Sequence, residues 1–276
     1  MKYIKIIFLL LVLAYVVSIP LAIQARPSGF LYGLETKINE PVWVWVNITG
    51  PARAETLARQ LDQRYAEIES AWFSKNSAEE KSARVALDIT VGRVIATIIS
   101  DTRSGDYKSA DTLAANSVSI TSIHKQVLKA LIDNDTTRSG LDIMFMQNNL
   151  SAFEQFRSDI DKQFRDAYQQ QNLVKGIDGK ISLLDQTNKI TRQALTDAQN
   201  MLRPEQYATL TDALAATTEL YTTAQNYVGK DFYVDGYITA STAIARYKEI
   251  NTAITASENF SVSVLPAQHK DDSNNK

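Results

Sequence analysis

Histidine is the scarcest candidate for chemistry in this chain, and where it falls narrows the chemistry open to it. His124 and His269 are the only imidazoles, and a general base working near neutral pH is most often an imidazole. A hydrolase of the Ser–His–acid kind would have to use His124, because His269 stands in a polar C-terminal stretch. Yet His124 keeps helical spacing with Leu113, Ile120, Val127 and Leu131, so a buried structural histidine is the plainer expectation. No Gly-x-Ser-x-Gly elbow, phosphate loop, paired-glycine dinucleotide turn or His-Glu-x-x-His helix occurs. There is no cysteine, which removes thiolate nucleophiles, thiolate metal sites and disulfides.

Carboxylates offer one further motif. Asp133-Asn134-Asp135-Thr136-Thr137 begins like a calcium loop. Arg138 then stands where the loop needs glycine, and Met144 where it needs a bidentate glutamate. An Asx-rich turn capping a helix accounts for these residues. The sequence therefore predicts no catalytic site, metal or cofactor.

Two groups of residues remain as binding candidates. Asn188 and Thr191 interrupt an apolar stripe with polar groups. Buried amides need partners, which a small ligand or a register-fixing contact between helices would supply. Phe232, Tyr233 and Tyr237 cluster aromatic rings near one turn, and Trp43 and Trp45 share one face of an alternating segment. Aromatic groups of this kind are enriched at protein interfaces, so these five are the candidate interaction surface.

The elements that must position these groups read as helices. From residue 52 to about 260 the apolar spacing is three and four. The stripes are Leu57, Leu61, Tyr65, Ile68 and Trp72; then Leu87, Val91, Val94 and Ile98; then the His124 stripe; then Met146, Leu150, Phe153, Ile160 and Phe164. Ile177, Ile181, Leu184, Leu195, Ala198 and Leu202 follow, then Tyr207, Leu210, Leu214, Thr217, Tyr221, Ala224 and Val228, and last Tyr237, Ala240, Ile244, Tyr247 and Ile254. Ser77-Ala78-Glu79-Glu80 reads as a capping box opening the second helix. Ser104-Gly105-Asp106, Asn134–Gly140, Pro204 and Gly229–Gly236 supply the breaks. Val85 to Ile99 is rich in β-branched residues, but the run is too long for an average strand, and helix is the expectation.

The N-terminus has a different character. Lys2 and Lys5 precede an uncharged, mostly apolar run that lasts until Arg26, the pattern of a cleaved export signal or of an uncleaved anchor. Residues 6–25 just reach the roughly 20 residues that cross a bilayer. Ile23 sits where signal cleavage prefers a small residue, which tips the expectation toward an anchor. The net charge of −2, from 29 basic and 31 acidic residues without blocks, argues against a nucleic-acid surface.

The expected fold is all-α: an elongated up-and-down bundle of long antiparallel helices over residues 51–261, subdivided near 172–180. A signal peptide or anchor helix (1–25) precedes it, then an extended linker (26–50) with a short strand at 41–47. A disordered tail (262–276) follows. The expected function is that of an exported, membrane-tethered or secreted, non-catalytic bundle acting by protein–protein contact as a scaffold, adaptor or holdase-like envelope component. A small-ligand-binding bundle is the alternative, and a hydrolase using His124 the third reading. The partners expected are a protein and, through residues 6–25, a membrane.

Overall fold

The computed structural model describes residues 50–135, 143–168, 174–264 and 266. The signal or anchor segment, the strand expected at 41–47, and Trp43 and Trp45 lie outside these residues. Every regular element among them is helical: α1 Gly50–Phe73, α2 Ser77–Ser104, α3 Tyr107–Asn134, α4 Met144–Ala167, α5 Val174–Asp197, α6 Pro204–Gly229 and α7 Tyr233–Phe260, with a 3-10 turn at Ala198–Asn200. The β-branched run after Val85 is helical, as expected. The chain divides into two compact units, Met1–Gly92 and Arg93–Lys276, the division falling inside α2. Both flanks of 172–180 belong to the second unit.

Three connections are built to one plan. Lys75, Gly105 and Asp231 each take a left-handed backbone, with φ of 59°, 79° and 64°. In each, the next amide reaches back five residues to a helix carbonyl: Asn76 to Ala71, Asp106 to Asp101, and Phe232 to Tyr227, at 2.8–2.9 Å. This is the Schellman closure of a helix C-terminus. The residue that donates the long bond also precedes the next helix. Asn76 Oδ1 accepts from the amide of Glu79 at 3.2 Å, and Asp106 Oδ1 from that of Ser109 at 3.3 Å. The cap of α2 is therefore Asn76, not the Ser77 of the expected capping box, and Glu80 pairs with Arg84 at 3.2 Å instead. A link of two or three residues thus closes each helix, and in the first two its last residue also caps the next.

In the first unit, Leu57, Leu61, Tyr65, Ile68 and Trp72 are buried as one stripe of α1. Arg64, also fully buried, gives Nη1 to Glu67 one turn on, 2.7 Å from Oε1.

The second unit is organised around α7. Val234, Tyr237, Ile238, Ala240, Ala243, Ile244, Ala245, Tyr247, Ile250, Ala253 and Ile254 are all buried. Consecutive buried positions mean a helix covered on every side, and its many alanines let neighbours approach closely. The contacts fix directions. Thr112 meets Tyr237, and Ser119 meets Ala245, so α3 runs parallel to α7. Lys180 lies on Tyr237, and Thr191 on Tyr247, so α5 does too. Arg157 with Thr242 and Arg165 with Asp235 make α4 antiparallel to α7. α6 runs antiparallel as well, with Val228 against Gly236 and Gln206 against Ser257. From α3 to α7 the chain thus alternates direction. Packing continues past α7: Val262 and Val264 are buried, because the short apolar Val-x-Val segment covers the bundle end beside Gln206. Val262 and Val264 thus pack although they fall within the expected tail, whose remainder from 265 on, residue 266 apart, lies outside the described residues.

At Gly236 α7 packs tightly against α6. A Cβ there would stand 2.8 Å from Val228 Cγ2 and 3.4 Å from the Ala224 carbonyl oxygen, whereas one on Gly179 would meet nothing within 4 Å. In urea unfolding, Gly236→Ala should destabilise by about 1–2 kcal/mol through overpacking. Gly179→Ala should stabilise by about 0.5–1 kcal/mol through backbone entropy.

Candidate functional site

Four charged residues of the second unit converge at one place along α7. α3 supplies Asp111, α4 supplies Arg157 and Asp161 one turn apart, α5 supplies Lys180, and α7 supplies Tyr237, Ser241 and Thr242. Arg157, Asp161 and Lys180 occupy stripe positions or their immediate flank. Arg157 and Asp161 follow Phe153 by four and eight residues, and Lys180 falls between Ile177 and Leu184. Helical periodicity therefore turns these groups into the seam rather than toward water.

Asp111 is fully buried, and neither of its carboxylate oxygens meets a donor with full hydrogen-bond geometry. Ser241 Oγ and the Asp161 carboxyl lie beside it, and Asp161 Oδ1 and Ser241 Oγ are also buried without a partner. The nearby cations are held partly elsewhere. Arg157 approaches Asp161 Oδ2 only to 4.0 Å and donates through Nη2 to Thr242 Oγ1. Lys180 Nζ donates to Thr112 Oγ1 at 3.0 Å and sits 4.7 Å over the Tyr237 ring, a cation–π contact. Thr112 Oγ1 is in turn 3.2 Å from the Tyr237 hydroxyl.

Burial is the largest influence on Asp111 and pushes its carboxyl up from the ordinary aspartate value; Arg157 and Lys180 pull the other way. Asp161 is pushed up to about 7, first by burial and then by the charge of Asp111, against Arg157 and Arg165. Two adjacent carboxyls, one buried and one half-buried, cannot both ionise cheaply, so the pair as a unit keeps a proton toward neutrality. Burial also drives the Tyr237 hydroxyl upward, which keeps it a neutral donor.

An aromatic cluster adjoins the charged groups. Phe164 stacks on Tyr107 at 6.1 Å and meets Tyr168 and Tyr237 edge-on at 5.3 and 5.7 Å. Ile177, Val234 and Ile238 complete this core. Tyr237 belongs to both groups, with its ring in the aromatic wall and its hydroxyl among the polar side chains.

The residues singled out from sequence fall in different places. His124 is buried on α3. Asn188 and Thr191 part company. Thr191 Oγ1, buried against α7, accepts from Asn251 Nδ2 at 3.0 Å. Asn188 Oδ1 takes Arg192 Nε at 2.9 Å on the outer flank of α5, and Arg192 Nη2 goes on to Thr218 Oγ1 of α6 at 2.9 Å. Of the aromatic group, Phe232 is exposed and stacks edge-on with Tyr227, Tyr233 is half-buried and donates to Asp231, and Tyr237 is buried. Asn134 and Asp135 serve as helix-terminal groups of α3: Asn134 Nδ2 donates to the Ala130 carbonyl, and the Asp135 amide to that of Ile132. Among the described residues no cluster of three or more His, Asp or Glu could hold a metal ion.

An open groove of about 570 Å³ lies along α6, with Arg192, Thr211, Leu214, Thr218 and Thr222 in its wall, and it shares no residue with the Asp111–Asp161 cluster. Comparison with known proteins finds no family model, no curated protein and no solved structure that matches the chain.

Removing a cation beside the ionised pair leaves buried negative charge uncompensated. Arg157→Met should therefore destabilise by about 3 kcal/mol in urea unfolding at pH 8. The loss should be markedly smaller at pH 5, where the pair retains its proton.

Proposed function

We propose that this protein is an exported, membrane-tethered or secreted helical bundle that works by protein–protein contact rather than catalysis, as a scaffold, adaptor or holdase-like component of the cell envelope. One observation carries the reading. The charged side chains with chemical potential, Asp111, Asp161, Arg157 and Lys180, are spent in a packed helix seam, while large apolar side chains stand in solvent on helix surfaces. Leu183 and Ile190, two turns apart on one face of α5, are 42% and 53% exposed, and Phe232 is 45% exposed. Exposed apolar groups aligned on one face are what a helical partner covers. Export rests on the apolar run at residues 6–25; among the described residues no helix is long and apolar enough to cross a membrane.

Site-specific photo-crosslinking in the producing cells tests this. A photoreactive residue at Ile190 should give a discrete crosslinked species in the envelope fraction, lost in Leu183→Glu. The same probe at Glu219 should give none. Equal crosslinking from both positions, or recovery of the protein in the cytosolic fraction, would count against the proposal.

The groove beside Arg192 favours a second reading, a small polar ligand held between α5 and α6. Asn188→Leu would then abolish a ligand-induced rise in melting temperature found by screening the wild type. A shift that survives this substitution would place the ligand elsewhere.

A further inference from the structure

We propose that Asp111 and Asp161 form a proton-binding latch, in which one proton held between the buried Asp111 carboxyl and the buried Oδ1 of the half-buried Asp161 ties α4 to α3 and α7. This device is independent of which partner the surface meets.

The geometry carries the argument. Asp111 and Asp161 come from antiparallel helices and face each other in a seam closed by α7. Both oxygens of Asp111, Oδ1 of Asp161 and Oγ of Ser241 are buried without partners. Such a set is satisfied by one proton, because a protonated carboxyl donates where a carboxylate only accepts. The opposing charges do not remove the need. From α4, Arg157 stays 4.0 Å from Asp161 while bonding Thr242, and Arg165 pairs with Asp235 of α7 at 3.0 Å. From α5, Lys180 is shared with Thr112 and the Tyr237 ring. From α3, the Lys108 carbonyl and Thr112 meet the Tyr237 hydroxyl, and Asp106 adds a further negative charge near that tyrosine. From α7, Tyr237, Ser241 and Thr242 stay neutral. His124 is thirteen residues further along α3, about 20 Å away at 1.5 Å per residue.

The sign follows from linkage. Asp161 holds its proton up to about 7 in the folded protein, against an ordinary value of 3.8. The folded state therefore binds a proton that the unfolded chain has released. The resulting stability is complete below the unfolded value, is lost as pH rises toward 7, and changes no further above it.

Urea unfolding of the full chain between pH 5 and 8.5, with ¹³C NMR of its aspartate carboxyls, tests the latch. The unfolding constant of the wild type should rise about tenfold per pH unit up to near 7 and then level off. Asp161→Asn should flatten that rise. His124→Gln, at the one histidine among the described residues, should keep it. In the NMR titration one aspartate carboxyl should titrate near 7. Amide exchange, corrected for its intrinsic pH dependence, should accelerate in α4 more than in α6 between pH 6 and 8. A flat wild-type profile, a slope unchanged by Asp161→Asn, or uniform acceleration across the helices would overturn the proposal. Should Asp161→Asn fail to fold, the wild-type NMR titration decides alone: every aspartate titrating below pH 5 would refute the latch.

Discussion

Two carboxyls, a guanidinium and an ammonium share one seam of the second unit, with Asp111 and Lys180 buried and Arg157 and Asp161 partly so. Ionised groups taken out of water cost several kcal/mol each unless paired with good geometry. Here the pairing is incomplete: Arg157 and Lys180 are each divided between the acids and a threonine hydroxyl. The conflict is resolved by withholding charge, with the pair keeping a proton. Four helices contribute to this one cluster, and α7, with Tyr237, Ser241 and Thr242, is the surface they share. The buried aromatic cluster around Phe164 and Tyr237 adjoins one side, and an apolar neighbour of this kind strengthens both desolvation and electrostatic contacts.

The helical stripes were largely legible in sequence because amphipathic periodicity is a local signal. Leu57 to Trp72, Leu87 to Ile98, Leu113 to Leu131 and Met146 to Phe164 are each buried as their spacing indicates. The breaks at Gly105 and Pro204 were legible too, since positive φ and a missing amide proton leave few options. The cap of α2 was misplaced by one residue, because Asn76 and Ser77 are both competent and only the Schellman closure at Lys75 selects between them.

The central role of α7 was hidden. A helix buried on all sides has no apolar stripe to stand out, and its alanines read as ordinary helix formers. The cluster itself was missed for a related reason. Asp111, Lys180 and the Arg157–Asp161 pair come from three different helices, and isolated charges along a helix look like solvated flanks until the helices are brought together. A trace existed in the Arg157–Asp161 spacing, which places both on the Phe153–Phe164 face. Asn188 and Thr191, three residues apart on α5, have different partners: Thr191 accepts from Asn251 of α7, and Asn188 from Arg192 one turn on.

A bundle held by a shared proton has a fold whose tightness depends on its surroundings, while its apolar surface on α5 does not. That separation lets contact and conformation be studied independently. The most direct measurement is the number of protons exchanged on unfolding at pH 6, from calorimetric unfolding enthalpies in two buffers of different ionisation enthalpy. The account predicts release of about one proton per molecule from the wild type, absent in Asp161→Asn. No release from the wild type, or the same release from both, would contradict it.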